Sequence, residues 1–184
     1  MPRYVTSAIL ALAAAAAAGA ARAETITVSI SNSPVSVGNL VITSSPASVK
    51  VTAGTGGVSI VSGGAVRIKA NGAAPGNASV QTVTVACASN PGNCKNTYKV
   101  TITQAAVSGQ ATSISKINVS NLTFASGNGT FSSTSPPEAS PGQIFTITGT
   151  SNNFTATFAL GATAVITAGA GHTASWSYNV RVAP

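Results

Sequence analysis

The sequence predicts an all-β fold, an antiparallel β-sandwich that follows a cleaved signal peptide, and three observations carry that expectation. Apolar and polar residues alternate with a period of two along many short runs. Gly- and Pro-containing turns part those runs every eight to twelve residues or so, the spacing of sandwiches and barrels. No later run shows a helical period, and none combines Leu, Glu, Lys and Ala as an exposed helix would.

The first element is the leader. MPRYVTSAILALAAAAAAGAARA opens with Arg3 as a short positive region, continues apolar from Val5 to about Ala18, and ends in Ala21, Arg22 and Ala23. That small-x-small ending fits signal peptidase, and the apolar run is too short and too rich in Ala for a membrane anchor. Cleavage after Ala23 leaves residues 24–184, with seven Lys and Arg against Glu24 and Glu138, a side-chain net charge of +5. No later segment is apolar for long enough to span a bilayer.

Residues 25–31 (TITVSIS) form the first expected strand, with Ile26, Val28 and Ile30 on one face and Thr25, Thr27 and Ser29 on the other. Short strands follow at 49–51, 58–61 and 65–68, separated by the Gly-rich stretches 52–57 and 62–64. Residues 82–103 (TVTVACASNPGNCKNTYKVTIT) read as a hairpin with Cys87 opposite Cys94 and Val83 opposite Tyr98. In that register Val85, Val100 and Ile102 share the cysteines' face, and the threonines take the other. The intervening ASNPGN suits a loop with a Pro-Gly turn. Export permits a disulfide, and one closing this short loop should stabilise the fold by about 2.5 kcal/mol. A redox pair would more often be C-x-x-C, and a zinc site would need ligands the chain lacks, so the pair reads as a structural staple.

Further strands are expected at 114–119, 122–124, 145–148, 154–158, 162–166 and 174–182 (ASWSYNVRV), with the Pro-rich 132–141 as a loop. One sandwich over 24–184, with residues 104–112 crossing between its sheets, is the preferred organisation, and a sub-division near 104–113 is the alternative.

Only 6% of the residues are charged, against about 25% in typical soluble domains. The seven basic residues (Lys50, Arg67, Lys69, Lys95, Lys99, Lys116, Arg181) form no stripe, which argues against nucleic-acid binding. The mature chain has no Asp, two Glu and one His, His172 in an expected exposed turn. Paired carboxylates, a hydrolytic triad, a metal site and a phosphate loop all lack their residues, so neither catalysis nor a cofactor is expected. Asn77, Asn118, Asn121, Asn128 and Asn153 begin Asn-x-Ser/Thr triplets, which a Ser/Thr-rich chain produces by chance. Trp176 and Tyr178, with Tyr98, could stack on sugar rings, but alternation with Val180 and Val182 points them to the core.

The signal peptide, the Thr/Ser/Gly/Ala-rich alternating strands, the local cysteine pair, the phrase GQIFTITGTSNNFTATFALG and the closing SWSYNVRV together resemble small secreted bacterial surface proteins. The nearest in kind are the pilin subunits of chaperone–usher fibres and their spore-coat-like relatives. The resemblance implies an immunoglobulin-like sandwich in the periplasm, secreted, or at the cell surface, acting as a structural subunit or adhesion module. It implies copies of itself or other surface subunits as partners by strand addition, and a periplasmic chaperone. The implied donor strand is Thr25, Ile26, Thr27, Val28, Ser29 and Ile30; the other reading makes it the first strand of the chain's own sandwich. A monomeric polysaccharide-binding sandwich is the functional alternative. Intact mass spectrometry of exported material should give the mass of residues 24–184, with no thiol alkylated until reduction. A retained leader or two freely alkylated cysteines would overturn this reading.

Overall fold

The computed structural model of the chain describes residues 24–31, 34–67, 78–88, 93–109, 111–133, 138–167 and 170–184. The expected leader, Ile68 and Lys69, the Pro91-Gly92 turn and Pro136-Pro137 lie outside the described residues. Ten strands carry the fold: β1 (Thr25–Ile30), β2 (Val35–Val51), β3 (Val58–Arg67), β4 (Gln81–Ala88), β5 (Thr97–Gly109), β6 (Ala111–Ser126), β7 (Gly129–Phe131), β8 (Gly142–Gly149), β9 (Phe154–Ile166) and β10 (Ala170–Ala183). Every pairing between them is antiparallel.

Two sheets result. In the first, β1 pairs β4, β4 pairs β9, and β6 lies along the other edge of β9. In the second, the order is β10-β5-β8-β7. The long strand β2 belongs to both, because residues 47–51 pair β9 while residues 35–41 pair β10. The handover lies around the cis Ser45–Pro46 peptide. β3 pairs along β2.

The sheets face each other through alternate residues. Val83, Val85 and Cys87 of β4 and Tyr98, Val100 and Ile102 of β5 are all buried in one cluster. Aromatic rings bridge the gap: Tyr98 of β5 lies 5.6 Å from Phe154 of β9, and Phe145 of β8 meets Phe158 of β9 edge-on at 5.1 Å. Such tilted and edge-on contacts suit the ring quadrupoles. The arrangement is sandwich-like.

The expected hairpin over 82–103 does not form. Val83 pairs Ile30 and Phe158, whereas Tyr98 pairs Ile147. Both edges of β4 are taken by β1 and β9, and both edges of β5 by β10 and β8. Alternation had sorted the faces correctly, but two strands that face one core from opposite sheets alternate just as a hairpin does.

Several expected short strands are parts of longer ones. The runs 58–61 and 65–67 are one β3, 114–119 and 122–124 one β6, and 154–158 and 162–166 one β9. Pairing with a long partner holds the intervening glycines and polar residues in the ladder, overriding their turn propensity. β5 runs to Gly109 and β6 starts at Ala111, so the chain passes there from the second sheet to the first. Gly109 has φ +68, and a Cβ there would sit 1.6 Å from the Thr173 carbonyl oxygen, so only glycine fits. Gln104 Oε1 accepts the Ile114 N–H at 2.7 Å and steadies the start of β6. His172 is in no turn; its backbone belongs to β10, beside Leu40. In the Pro-rich 132–141, Ala139 forms a bridge with Ile117 of β6, and Glu138 pairs with Lys50 of β2.

β9 holds the first sheet together at a point where its partner changes. Leu160 is the last residue opposite β4, Ala162 the first opposite β2, and Gly161 lies between. Asn118, opposite Gly161 on β6, spans the vacant side-chain position. Its Oδ1 accepts the Ala53 N–H at 2.7 Å, and its Nδ2 donates to the Val51 carbonyl at 3.1 Å. A Cβ on Gly161 would lie 2.3 Å from the Val51 oxygen and 2.4 Å from Asn118 Oδ1. Asn118→Ala strands two backbone groups and should cost about 1–3 kcal/mol in urea unfolding. A midpoint unchanged from wild type would show that the carboxamide holds nothing.

Candidate strand-docking site

Three connections between the sheets meet at one end of the sandwich, and β1 begins there. Residues 93–96 before β5, the β6–β7 turn and the β8–β9 loop are laced together by hydrogen bonds. Cys94 N–H donates to Asn152 O at 3.0 Å, Gly149 N–H to Asn96 O at 3.0 Å, and Thr150 N–H to Asn128 O at 2.9 Å. Asn128 N–H also donates to Ser151 Oγ at 2.7 Å. Three of these bonds join backbone to backbone, and Ser151 adds its short hydroxyl, which reaches a nearby backbone group.

The Cys87–Cys94 disulfide completes the lacing, with Cα atoms 6.0 Å apart. It joins the end of β4 to the segment that leaves the first sheet, so it clips a crossover and not a hairpin. Both cysteines are buried.

β1 docks on the outer edge of β4 from Thr25↔Ala88 to Ile30↔Val83. Ile26, Val28 and Ile30 are half-buried against the core, while Thr25, Thr27 and Ser29 face solvent. Among the described residues no strand pairs with the other edge of β1. Glu24, just before it, reaches across to the second sheet. Its Oε2 accepts the Tyr98 hydroxyl at 2.7 Å and its Oε1 accepts the Asn96 side-chain N–H. Tyr98 Oη also lies 3.5 Å from Cys87 Sγ. One carboxylate thus ties the first strand to the disulfide-bearing end.

Sequence reasoning passed over Glu24 as a terminal carboxylate and did not consider Asn96. A signal was available, because Tyr98 shares the apolar face with the cysteines and a buried tyrosine hydroxyl needs a partner. The other carboxylate, Glu138, is engaged with Lys50, so the two do not converge. Among the described residues, no group of three or more His, Cys, Asp or Glu is placed to hold a metal ion.

Trp176 and Tyr178 lie in the core, the side to which alternation with Val180 and Val182 pointed them, and not where they could stack on sugar rings. Trp176 is 1% exposed and Tyr178 5%, and the indole N–H donates to the Tyr178 hydroxyl at 3.0 Å. Alternation along β10 turns both rings inward, so neither offers a face to a ligand. A shallow depression of about 230 Å³ beside Trp176 is walled by Pro34, Val107, Ser108 and Ser175, with no charged side chain.

No known protein family matches the chain, and no curated protein or solved structure is significantly similar to it.

Burial, reinforced by the hydrogen bond to Glu24 and its charge, holds the Tyr98 hydroxyl well above the usual tyrosine range. Burial does the same for Tyr178, partly offset by the Trp176 N–H. A raised folded pKa means that the unfolded chain loses these protons first as pH rises. The stability they contribute is complete below about pH 10 and falls above it, by up to about 1.4 kcal/mol per pH unit per tyrosine. Urea unfolding at pH 8, 10 and 11 should show that drop. Tyr98→Phe and Tyr178→Phe should each flatten it, and equal slopes in wild type and variants would refute the assignment.

Proposed function

We propose that this chain is a non-catalytic, exported structural subunit or adhesion module of the bacterial cell surface, built as an immunoglobulin-like sandwich. Copies of it, or of related subunits, join by β-strand addition. The observation that carries this reading is the position of β1: an N-terminal strand docked by one edge, uncharged throughout, with its apolar residues seated in a half-buried slot.

Strand addition needs that combination. Backbone hydrogen bonds along an open edge supply affinity, and alternate side chains entering the slot supply specificity. A second chain offering residues 25–30 would make the same contacts as the chain's own β1, so exchange between copies conserves the interactions and needs only the connection to β2 to open out. Soluble sheets guard their edges with Lys, Pro or inward charges, and Thr25–Ile30 carries none of these. The poverty of titratable groups favours a structural over a catalytic role. The leader would direct the chain out of the cytoplasm, where the disulfide can form. A periplasmic chaperone would be the natural partner for the slot before β1 is seated.

Size-exclusion chromatography over a range of concentrations tests assembly. The full chain should give species larger than a monomer whose share grows with concentration, and deletion of residues 24–33 downstream of the leader should abolish them. A full chain that stays monomeric throughout sinks strand exchange.

A further inference from the structure

We infer that Glu24 sets the register of β1, acting through Tyr98 and Asn96 as a pin that selects one alignment among nearly equivalent ones. The inference goes beyond the assembly reading, because it concerns how the strand sits whichever copy supplies it.

The ladder between β1 and β4 is close to degenerate. A one-residue slip would turn Ile26, Val28 and Ile30 outward and is excluded by burial. A two-residue slip keeps every face. Inward positions of β1 are all branched apolar residues, and outward positions all carry hydroxyls. β4 repeats as well, with Val83, Val85 and Cys87 inward and Thr82, Thr84, Ala86 and Ala88 on the other face. The contact at the far end discriminates weakly. There Ser31 Oγ accepts the Thr82 N–H at 3.1 Å, and a slip in one direction puts another serine, Ser29, opposite Thr82.

Glu24 breaks the degeneracy. It is the only charged residue in 24–31, and both of its partners lie outside the β1–β4 ladder, Asn96 just before β5 and Tyr98 within it. A two-residue slip carries its backbone along the strand by about 6.7 Å. In one direction that takes the carboxylate past the end of β4 and away from both donors. In the other it places Glu24 opposite Cys87, where a charge would meet the apolar core without its partners. Hydrogen bonds to an ionised acceptor are stronger and more directional than neutral ones, which suits one side chain to this discrimination. The disulfide and the Asn96–Gly149 hydrogen bond fix the segment that presents the donors.

The test reads register directly and does not depend on oligomeric state. In isotope-labelled protein expressed from the full 184-residue chain, Val28 and Val85 form a non-hydrogen-bonded pair, whose Hα atoms approach closely enough for a strong cross-peak. Wild type should give the Val28–Val85 peak alone. Glu24→Ala should add a Val28–Val83 or Val28–Cys87 peak. Glu24→Ala showing only Val28–Val85 overturns the inference. So does loss of every β1–β4 peak while the Val85–Ala156 contacts of β4 with β9 persist, since Glu24 would then hold the strand on without choosing its alignment. If Glu24→Ala does not fold, Tyr98→Phe with Asn96→Ala removes both donors and leaves the ring in the core, and the same outcomes decide.

Discussion

The clasp between Asn118 and Gly161 is the constraint on which the rest of the sandwich depends. β9 serves three partners, with β6 along one edge and β4 followed by β2 along the other. A strand that changes partner leaves backbone groups at the junction without a ladder, and buried polar groups must be satisfied somewhere. The Asn118 carboxamide presents an acceptor to Ala53 and a donor to Val51, as a piece of backbone would. It can cross β9 only because Gly161 has no side chain. The first sheet is closed at that point, and both ends of the molecule hang from it.

At one end, β2 leaves the first sheet for the second and takes β3 with it. At the other, the aromatic half of β9 meets the second sheet through Phe154 and Phe158, and the crossovers are laced beneath the disulfide. The disulfide has a different part from the clasp. It shortens the freedom of a connection between sheets whose ends already lie close, so its stabilisation acts mainly on the unfolded chain. It also holds Asn96 and Tyr98 where the first strand can find them. A covalent clip, a buried hydroxyl and one carboxylate thus couple the seating of β1 to the integrity of the opposite sheet.

Scarcity of charge shapes both halves of this picture. With few ions to distribute, the molecule satisfies its polar groups through carboxamides and hydroxyls: Asn118 at the clasp, Gln104 at the β5–β6 crossing, Ser151 at the laced end, and Thr pairs such as Thr97–Thr148 and Thr123–Thr157 across strands. These groups are short and neutral and give many similar local arrangements. Where one alignment must be chosen, a rare charge does the choosing. Glu24 and the Lys50–Glu138 pair are the two places where the described residues use carboxylates, and each joins segments distant in sequence.

The residues by themselves determined the all-β class, the positions of most strands, the inward faces and the cysteine pair, because alternation with a period of two records burial, and burial is local to each strand. Val83, Val85, Tyr98, Val100 and Ile102 declared their direction in this way. Alternation does not record the neighbour. Hence 82–103 looked like a hairpin, only 49–51 of β2 was read as a strand, and β3, β6 and β9 looked like fragments. The candidate site was legible only as a strand, TITVSI; its anchoring by Glu24 joins residues more than seventy positions apart. Only the tertiary structure decided which edges meet, because edge pairing is chosen by the whole set of strands competing for partners, and no single segment holds that information.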